Sequence, residues 1–326
     1  MSKILTINKK IEKFNKIIKV SGDKSLSIRW VLLASQSSGK SRAYNLLMSE
    51  DVLSAIDSIK KLGIKVKIQK NYCEILGNGI NGFKYKKDLT IDAKNSGTLG
   101  RLILGLLIKS PQKIKLVGDE SLSKRDFSRI TKPLEKFGAK FYFKKKNKLP
   151  LSIIGSKLPK GINYIENKGS AQCKSSIMLA ALISSGTTLI KAKKSRNHTE
   201  LLFKYLKIPI KVNITKKYDF IEVKQAKKIP AFNYQIPGDI SSSAFFMVLT
   251  TLSNNSKLLI KNVNINPSRT GVITILKKMG ANISLKNKKN YRGEKISNIL
   301  IKSSRNLKAI NCPTELNSSA IDEFLI

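Results

Sequence analysis

Two rhythms of apolar positions alternate along this chain. In stretches such as Trp30–Ser35 and Ser176–Ile183 apolar residues run on at helical length. After Gly63, Gly138 and Gly280 apolar and polar residues instead take turns, as in IKVKI and AKFYF, the period-two signature of a strand. Each long apolar stretch is introduced by small polar residues and glycine. The four openings read SGDKSLSIRWVLLAS from Ser21, KNSGTLGRLILGLLI from Lys94, KGSAQCKSSIMLAAL from Lys168 and PGDISSSAFFMVLTT from Pro237. Gly22, Asn95, Gly169 and Gly238 mark equivalent places, 73, 74 and 69 residues apart. A repeat of that length is a whole supersecondary unit.

Each unit has the same outline. The opening leads into the apolar helix, then a turn at Gly39 or Gly186, then a short strand such as Lys113–Val117, Thr188–Lys191 or Lys257–Ile260. A second helix starts at a capping residue, read here as Ser49, Ser195 and Ser268. Gly63, Gly138 and Gly280 suit its C-terminal position, where positive φ is favoured, and Pro209 is expected to supply the stop in the third unit. Hairpins are expected within 66–92 and 211–236. The unit is therefore βαβαββ, the class is α/β with mixed sheets, and the apolar helices are expected inside with the sheets outside them. A fifth opening, TELNSSAIDEFLI from Thr314, begins a helix, and the chain is expected to be C-terminally truncated there.

Composition changes this picture little. The net charge is +41, from 62 Lys+Arg against 21 Asp+Glu, spread along the whole chain. No RNP, KH, helix-turn-helix or zinc-finger pattern accompanies it, so a lysine-coated surface that steers anionic metabolites is expected, with no nucleic-acid partner. No apolar run approaches the roughly 20 residues that span a bilayer, and the start lacks a signal-peptide core, so no membrane partner and a cytoplasmic location are expected. Cys73, Cys173 and Cys312 have no CxxC spacing and are read as reduced and structural. Arginine is scarce, yet Arg29, Arg101, Arg125, Arg129, Arg196 and Arg269 all lie in the repeat motifs. A planar fork grips carboxylate or phosphate with two parallel bonds. Helix starts with free N–H groups bind anions, so several in one chain point to substrates bearing phosphate and carboxylate.

Seven motifs now carry a family resemblance: GDKSLSIR, NSGTLGRLILGLL, GDESLSKRDFSRITKPLEKFGA, GSAQCKSSIMLAAL, SRNHTELLFKYL, PGDISSSAFFMV and NPSRTGVITILKKMGA. In order and spacing they resemble the 5-enolpyruvylshikimate-3-phosphate (EPSP) synthase family, from about Thr6 to Ile326. The resemblance implies the two-domain enolpyruvyl-transferase fold, an inside-out α/β barrel with three repeat units per domain. By it, residues 21–236 form one domain, and residues 1–20 plus 237–326 form the other, incomplete in its fifth unit. It implies transfer of the enolpyruvyl group of phosphoenolpyruvate to the 5-hydroxyl of shikimate 3-phosphate with release of phosphate, in the shikimate pathway of aromatic amino-acid biosynthesis. No metal or organic cofactor takes part, and relatives are mostly monomers.

Residue roles follow from the resemblance alone. Lys24 matches the lysine between both substrates, where an ammonium offsets phosphate charge and assists proton transfer. Ser25 and Arg29, one helical turn apart, match the pair that holds the shikimate carboxylate. Gly97 fits the backbone approach to phosphoenolpyruvate, and Arg125 matches the arginine that grips it; Arg101 and Arg129 sit behind those contacts or between domains. Ser170 and the backbone of Ala171 resemble the cradle for the shikimate phosphate. Many relatives carry a second serine at Ala171, so only the backbone donor carries over there. Gln172 touches both substrates, and Ser195 and Arg196 support the phosphate. Asp322 matches the aspartate that accepts the 5-hydroxyl proton. His198 is read as a helix-surface or packing residue, and Glu323 has no role.

The family's later lysine, glutamate and arginine are not found in the sequence, so weak binding of shikimate 3-phosphate and little turnover are expected. The sister family acting on UDP-N-acetylglucosamine would show a Lys-Asn pair where Lys24-Ser25 stands. The alternative of another class is a non-catalytic basic protein that binds nucleic acid or other anions.

Overall fold

The computed structural model describes Thr6, Asn8 and 11–326. Its elements run β1 (Asn15–Ile18), α1 (Lys24–Ser35), β2 (Ser38–Tyr44), α2 (Glu50–Lys61), β3 (Lys65–Ile68), β4 (Tyr72–Asn78) and β5 (Leu89–Asp92). Then follow α3 (Gly97–Leu106), β6 (Ile114–Val117), α4 (Glu120–Ser123), α5 (Ser128–Glu135), β7 (Lys140–Lys145), β8 (Lys148–Ile154) and β9 (Asn163–Glu166). Next come α6 (Ala171–Ala181), β10 (Thr187–Lys193), α7 (His198–Tyr205), β11 (Ile210–Ile214), β12 (Tyr218–Lys224) and β13 (Tyr234–Gln235). The last are α8 (Ile240–Leu252), β14 (Lys257–Asn264), α9 (Gly271–Lys278), β15 (Asn282–Tyr291), β16 (Glu294–Lys302) and α10 (Asn317–Ala320).

The chain divides into two compact units. One comprises Gly22–Ile236 with Arg292–Glu294; the other comprises the described residues before Gly22 with Pro237–Tyr291 and Lys295–Ile326. The first holds three four-stranded sheets, β13-β2-β4-β3, β5-β6-β8-β7 and β9-β10-β12-β11; the second holds β1-β14-β16-β15. Every sheet repeats one pattern. Its leading strand runs parallel to the next, which pairs antiparallel with the third, and the fourth lies at the far edge. Two leading strands are exchanged. β1 precedes α1 in sequence but pairs with β14, Asn15 opposite Lys257, whereas β13 precedes α8 but pairs with β2, Tyr234 opposite Ala43.

The first unit's core is built by α1, α3 and α6. Leu26–Ser35 of α1, Leu99–Leu106 of α3 and Cys173–Ala181 of α6 are all buried. A helix that is apolar on every side has no face to give to water and goes to the interior. α3 packs on both α1 and α6. Gly105 is what lets α3 approach α6, since a Cβ there would lie 2.2 Å from the Ser176 carbonyl oxygen. α2 is ordinary and amphipathic, burying Val52, Ala55, Ile56 and Ile59 at helical spacing. In the second unit α8 buries Ile240, Ala244 and Met247 but leaves Phe245, Phe246, Leu249 and Leu252 exposed.

The structure corrects three local expectations. Ser195 does not cap α7, which begins at His198 after Asn197. Ser268 lies inside a single 3-10 turn, Pro267–Arg269, and α9 begins only at Gly271. Runs of Ser, Asn and Thr offer several capping oxygens, and Asn266 takes the backbone N–H of Ser268 first. The third unit's helix, α7, ends at Tyr205 and the turn after it is closed by Lys207, whose φ of +56° is the counterpart of +84°, +95° and +99° at Gly63, Gly138 and Gly280; Pro209 comes two residues later.

Candidate active site

All four repeat openings become helix N-termini with a side-chain cap. Asp23 accepts from the Leu26 N–H, Ser96 from Leu99, Ser170 from Cys173 and Asp239 from Ser241. None of α1, α3 and α6 has an acidic residue in its first turn; the caps of α3 and α6 are neutral serines, whereas α1 already carries the Asp23 carboxylate at its start.

Side chains join these starts in the first unit. Arg101 on α3 donates from Nη1 to Oε1 of Gln172 on α6 at 2.6 Å, and Gln172 Nε2 donates to Thr98 Oγ1 at 3.0 Å. The Arg101 guanidinium lies over the Phe127 ring, 5.5 Å from its centroid. Burial lowers the Arg101 pKa to about 10, and Arg129 and Arg125 push the same way. Arg101 therefore stays charged at neutral pH within a cluster of three arginines. Gly97 lies against them, for a Cβ there would stand 3.0 Å from Arg101 Nη1 and 3.1 Å from Arg125 Nη1. Arg125 is exposed and donates to Ser121 Oγ at 3.4 Å. Nearby, Asp119 is held below the usual carboxylate range by the Leu122 N–H and by Asn95, whose side-chain amide donates to it at 2.5 Å.

A second group lies around Arg29. Its Nε donates to Thr199 Oγ1 at 2.8 Å, its Nη2 to Ser175 Oγ at 3.0 Å and its Nη1 to the Ser25 carbonyl at 3.0 Å. Burial lowers the Arg29 pKa to about 10, with Glu200 and Asp23 opposing that shift and Arg196 reinforcing it. Lys24 extends from the first residue of α1, half exposed, with Nζ 3.4 Å from Asp51. At the start of α7, His198, Thr199 and Glu200 are buried in succession. His198 Nδ1 lies 2.7 Å from Glu294 Oε1, and Glu200 pairs with Lys174 at 2.5 Å.

Comparison with known proteins supplies the family. Residues 8–317 match the family model described as EPSP synthase (3-phosphoshikimate 1-carboxyvinyltransferase). The chain belongs to the EPSP synthase family. It is 40% identical over 309 residues to the 3-phosphoshikimate 1-carboxyvinyltransferase of Thermoanaerobacter sp. (strain X514), covering 94% of this chain and 71% of that relative. It is 42% identical to the enzyme of that name from Ruthia magnifica, covering 94% of this chain and 69% of the relative. The solved EPSP synthase from Acinetobacter baumannii superposes with a TM-score of 0.87 at 36% identity, covering 96% of this chain and 70% of that one. The α/β enolpyruvyl-transferase fold expected from the motifs is thereby borne out.

Most of the expected site residues fall in the first unit. Gly97, Arg125 and Gln172 gather at the starts of α3 and α6. Ser25, Arg29 and Arg196 gather near the start of α1, and Lys24 opens that helix. Ser170 is the cap of α6 and Ala171 its first residue. Asp322 belongs to the other unit, exposed in the 3-10 turn Ile321–Glu323. Glu323 beside it is buried and accepts from Ser241 Oγ. His198 is fully buried, so it is a packing residue and not a helix-surface one. The sequence places Thr98 in the second opening, with Asn95, Ser96 and Gly97, but does not show its bond to Gln172, and it does not point to Ser175 and Thr199, the hydroxyls that hold Arg29. Ser175 left a trace as a small polar residue in the mostly apolar run of α6, whereas Thr199, among His198, Glu200 and Lys204 of α7, left none. Among the described residues no helix is long and apolar enough to cross a membrane, and no group of three or more His, Cys, Asp or Glu could hold a metal ion.

Proposed function

We propose that this chain takes part in enolpyruvyl transfer from phosphoenolpyruvate to the 5-hydroxyl of shikimate 3-phosphate, within aromatic amino-acid biosynthesis. One observation carries the reading: Gln172, Thr98 and Arg101 tie the first turns of α6 and α3 together beside Gly97 and Arg125. Two helix starts and a cluster of arginines thus face one place, suited to a small, multiply charged acid.

In this reading Arg125, the backbone at Gly97 and Gln172 take phosphoenolpyruvate. Ser170, the Ala171 N–H and Arg196 take the shikimate phosphate, Ser25 and Arg29 take its carboxylate, and Lys24 serves both substrates. The chemistry is addition followed by elimination. Lys24 supplies positive charge where phosphate is lost, and Asp322 accepts the 5-hydroxyl proton. The chain's positive charge favours the approach of both anions. The reaction partners are the two small molecules, with no nucleic acid or membrane, and the compartment is the cytoplasm.

The test is ligand-dependent thermal protection of the 326-residue chain. Shikimate 3-phosphate is expected to raise the midpoint, UDP-N-acetylglucosamine to leave it unchanged, and Arg196→Ala to remove the protection. Equal protection by both ligands, or salt-sensitive RNA binding that shikimate 3-phosphate does not affect, would overturn the reading.

A further inference from the structure

We infer that Thr199 and Ser175 form a hydroxyl clamp that sets the plane of the Arg29 guanidinium, and so set how strongly this site selects a ligand that bears a carboxylate. The inference rests on the assignment of the substrate carboxylate to Arg29 under the proposed function.

The geometry is specific to arginine. Nε and Nη2 present two parallel N–H bonds along one edge of the guanidinium. Thr199 Oγ1 and Ser175 Oγ lie 2.7 Å apart and take those two donors, at 2.8 and 3.0 Å. One hydroxyl donates to the other, and both accept from Arg29. Two acceptors along one edge fix a planar group against rotation, where a single acceptor would leave it free to swing. The Ser25 carbonyl takes a third N–H, from Nη1. A guanidinium has five N–H donors, so one remains on each terminal nitrogen, Nη1 and Nη2.

The clamp is anchored in three elements. Arg29 is on α1, Ser175 on α6 and Thr199 on α7, and each is at least 95% buried. The residues flanking Thr199 are themselves held, His198 by Glu294 and Glu200 by Lys174. Thr199 is therefore delivered to Arg29 by a fixed backbone, and water does not compete for the two hydroxyls. A lysine at position 29 has no such edge: it cannot bind both hydroxyls in one plane and present a further pair of donors.

The experiment measures the dissociation constants of two ligands by calorimetry. One is shikimate 3-phosphate; the other is its analogue with the carboxylate reduced to hydroxymethyl. The wild-type chain is expected to prefer the acid. Thr199→Val keeps the shape and removes the hydroxyl, and is expected to lower that preference roughly tenfold, the scale of one hydrogen bond to a charged group, leaving the analogue's affinity unchanged. Thr199→Ser is expected to restore the preference. Ser175→Ala provides the independent variant if Thr199→Val fails to fold, with the same direction expected. If both variants keep the wild-type preference while Arg29→Met abolishes it, the clamp is refuted and the carboxylate assignment stands. If the wild-type chain shows no preference, or Arg29→Met keeps it, the carboxylate assignment fails and the clamp falls with it.

Discussion

Arg101 and Gln172 meet across two helices, Nη1 to Oε1 at 2.6 Å, although 71 residues separate them in the chain. Arg101 is almost fully buried, and its Nε has no acceptor of its own. Gln172 is thus a principal neutral acceptor for a buried cation. Because burial lowers the Arg101 pKa only to about 10, that charge persists at neutral pH and needs a partner there.

Two substitutions at position 172 should separate structure from binding. Gln172→Met strands the Arg101 donor, and about 2 kcal/mol of stability should be lost, read as a lower urea midpoint at unchanged slope. Gln172→Glu supplies a charged acceptor and should hold or raise the midpoint. It also neutralises part of the arginine cluster, so the affinity for phosphoenolpyruvate, measured with shikimate 3-phosphate present, should fall. Undiminished affinity in Gln172→Glu would show that the cluster does not face the anion.

Gly97→Ala tests the same place by volume. Its Cβ would crowd the Nη1 atoms of Arg101 and Arg125, at 3.0 and 3.1 Å. Both are ends of flexible side chains, so each should yield by a few tenths of an ångström. Stability should change by less than about 1 kcal/mol, with helix propensity even favouring alanine. Phosphoenolpyruvate should bind roughly tenfold more weakly as the guanidinium groups are displaced. Calorimetric titration beside a denaturant curve reads both, and a loss of stability without a loss of affinity would contradict the argument.

The sequence displayed its repeat because the constraint is local. A cap must sit next to its helix, and Asp23, Ser96, Ser170 and Asp239 recur at the repeat spacing. The second helices were less legible. Ser195 and Ser268 have the composition of caps, but Asn266 takes the Ser268 N–H, and α7 opens after Asn197 with no side-chain cap bond at all, so only backbone geometry sets these starts. The exchange of β1 and β13 leaves no local mark, because β13 is only two residues long and β1 shows no alternation of buried and exposed positions. The Arg29 clamp was illegible for another reason: its partners lie 146 and 170 residues away, and a hydroxyl carries no sequence signature of what it bonds.

The cysteines lead to a prediction in alkaline solution. Burial pushes the Cys73 thiol up to about 11 and the Cys173 thiol to about 12, from 9.0 when unfolded. Between pH 9 and the folded values the unfolded chain loses these protons and the native chain keeps them, so stability falls as pH rises. Cys173→Ala should reduce the slope of stability against pH between 9 and 10, measured by urea denaturation at stepped pH. Iodoacetamide at pH 8 should label the partly exposed Cys312 in the native chain, and Cys73 and Cys173 only after unfolding, as read by mass spectrometry.

The repeat provides its own internal control for burial. Phe246 on α8 occupies the position of Ile177 on α6, 69 residues earlier, by the spacing of Gly238 from Gly169. Ile177 is completely buried, whereas Phe246 is 40% exposed. Ile177→Ser should cost more than about 3 kcal/mol, combining lost transfer energy, a cavity and a buried hydroxyl. Phe246→Ser should cost less than about 1 kcal/mol. Matched denaturation curves decide it, and equal losses at the two sites would mean that the α8 face is covered in solution.

Lys174 and Glu200 offer the sharpest energetic test. Their charges lie 2.5 Å apart, with side-chain exposures of 0% and 5%. Removing two ions from water is expensive, and attraction in the interior only roughly repays it. Removing one partner leaves the other charge stranded, so Lys174→Met and Glu200→Leu should each lose about 3 to 5 kcal/mol. The double substitution leaves no stranded charge and fills the space with apolar atoms, so it should lie within about 1 kcal/mol of wild type. Glu200 follows Thr199 directly, so the double variant also tests whether the ion pair helps to deliver Thr199 to Arg29. If the pair only balances charge, the double variant should recover both stability and preference for a carboxylate-bearing ligand. If the pair steers the start of α7, stability should return while that preference stays low. A double variant as unstable as the single ones would show that the pair contributes net stabilisation beyond its own desolvation.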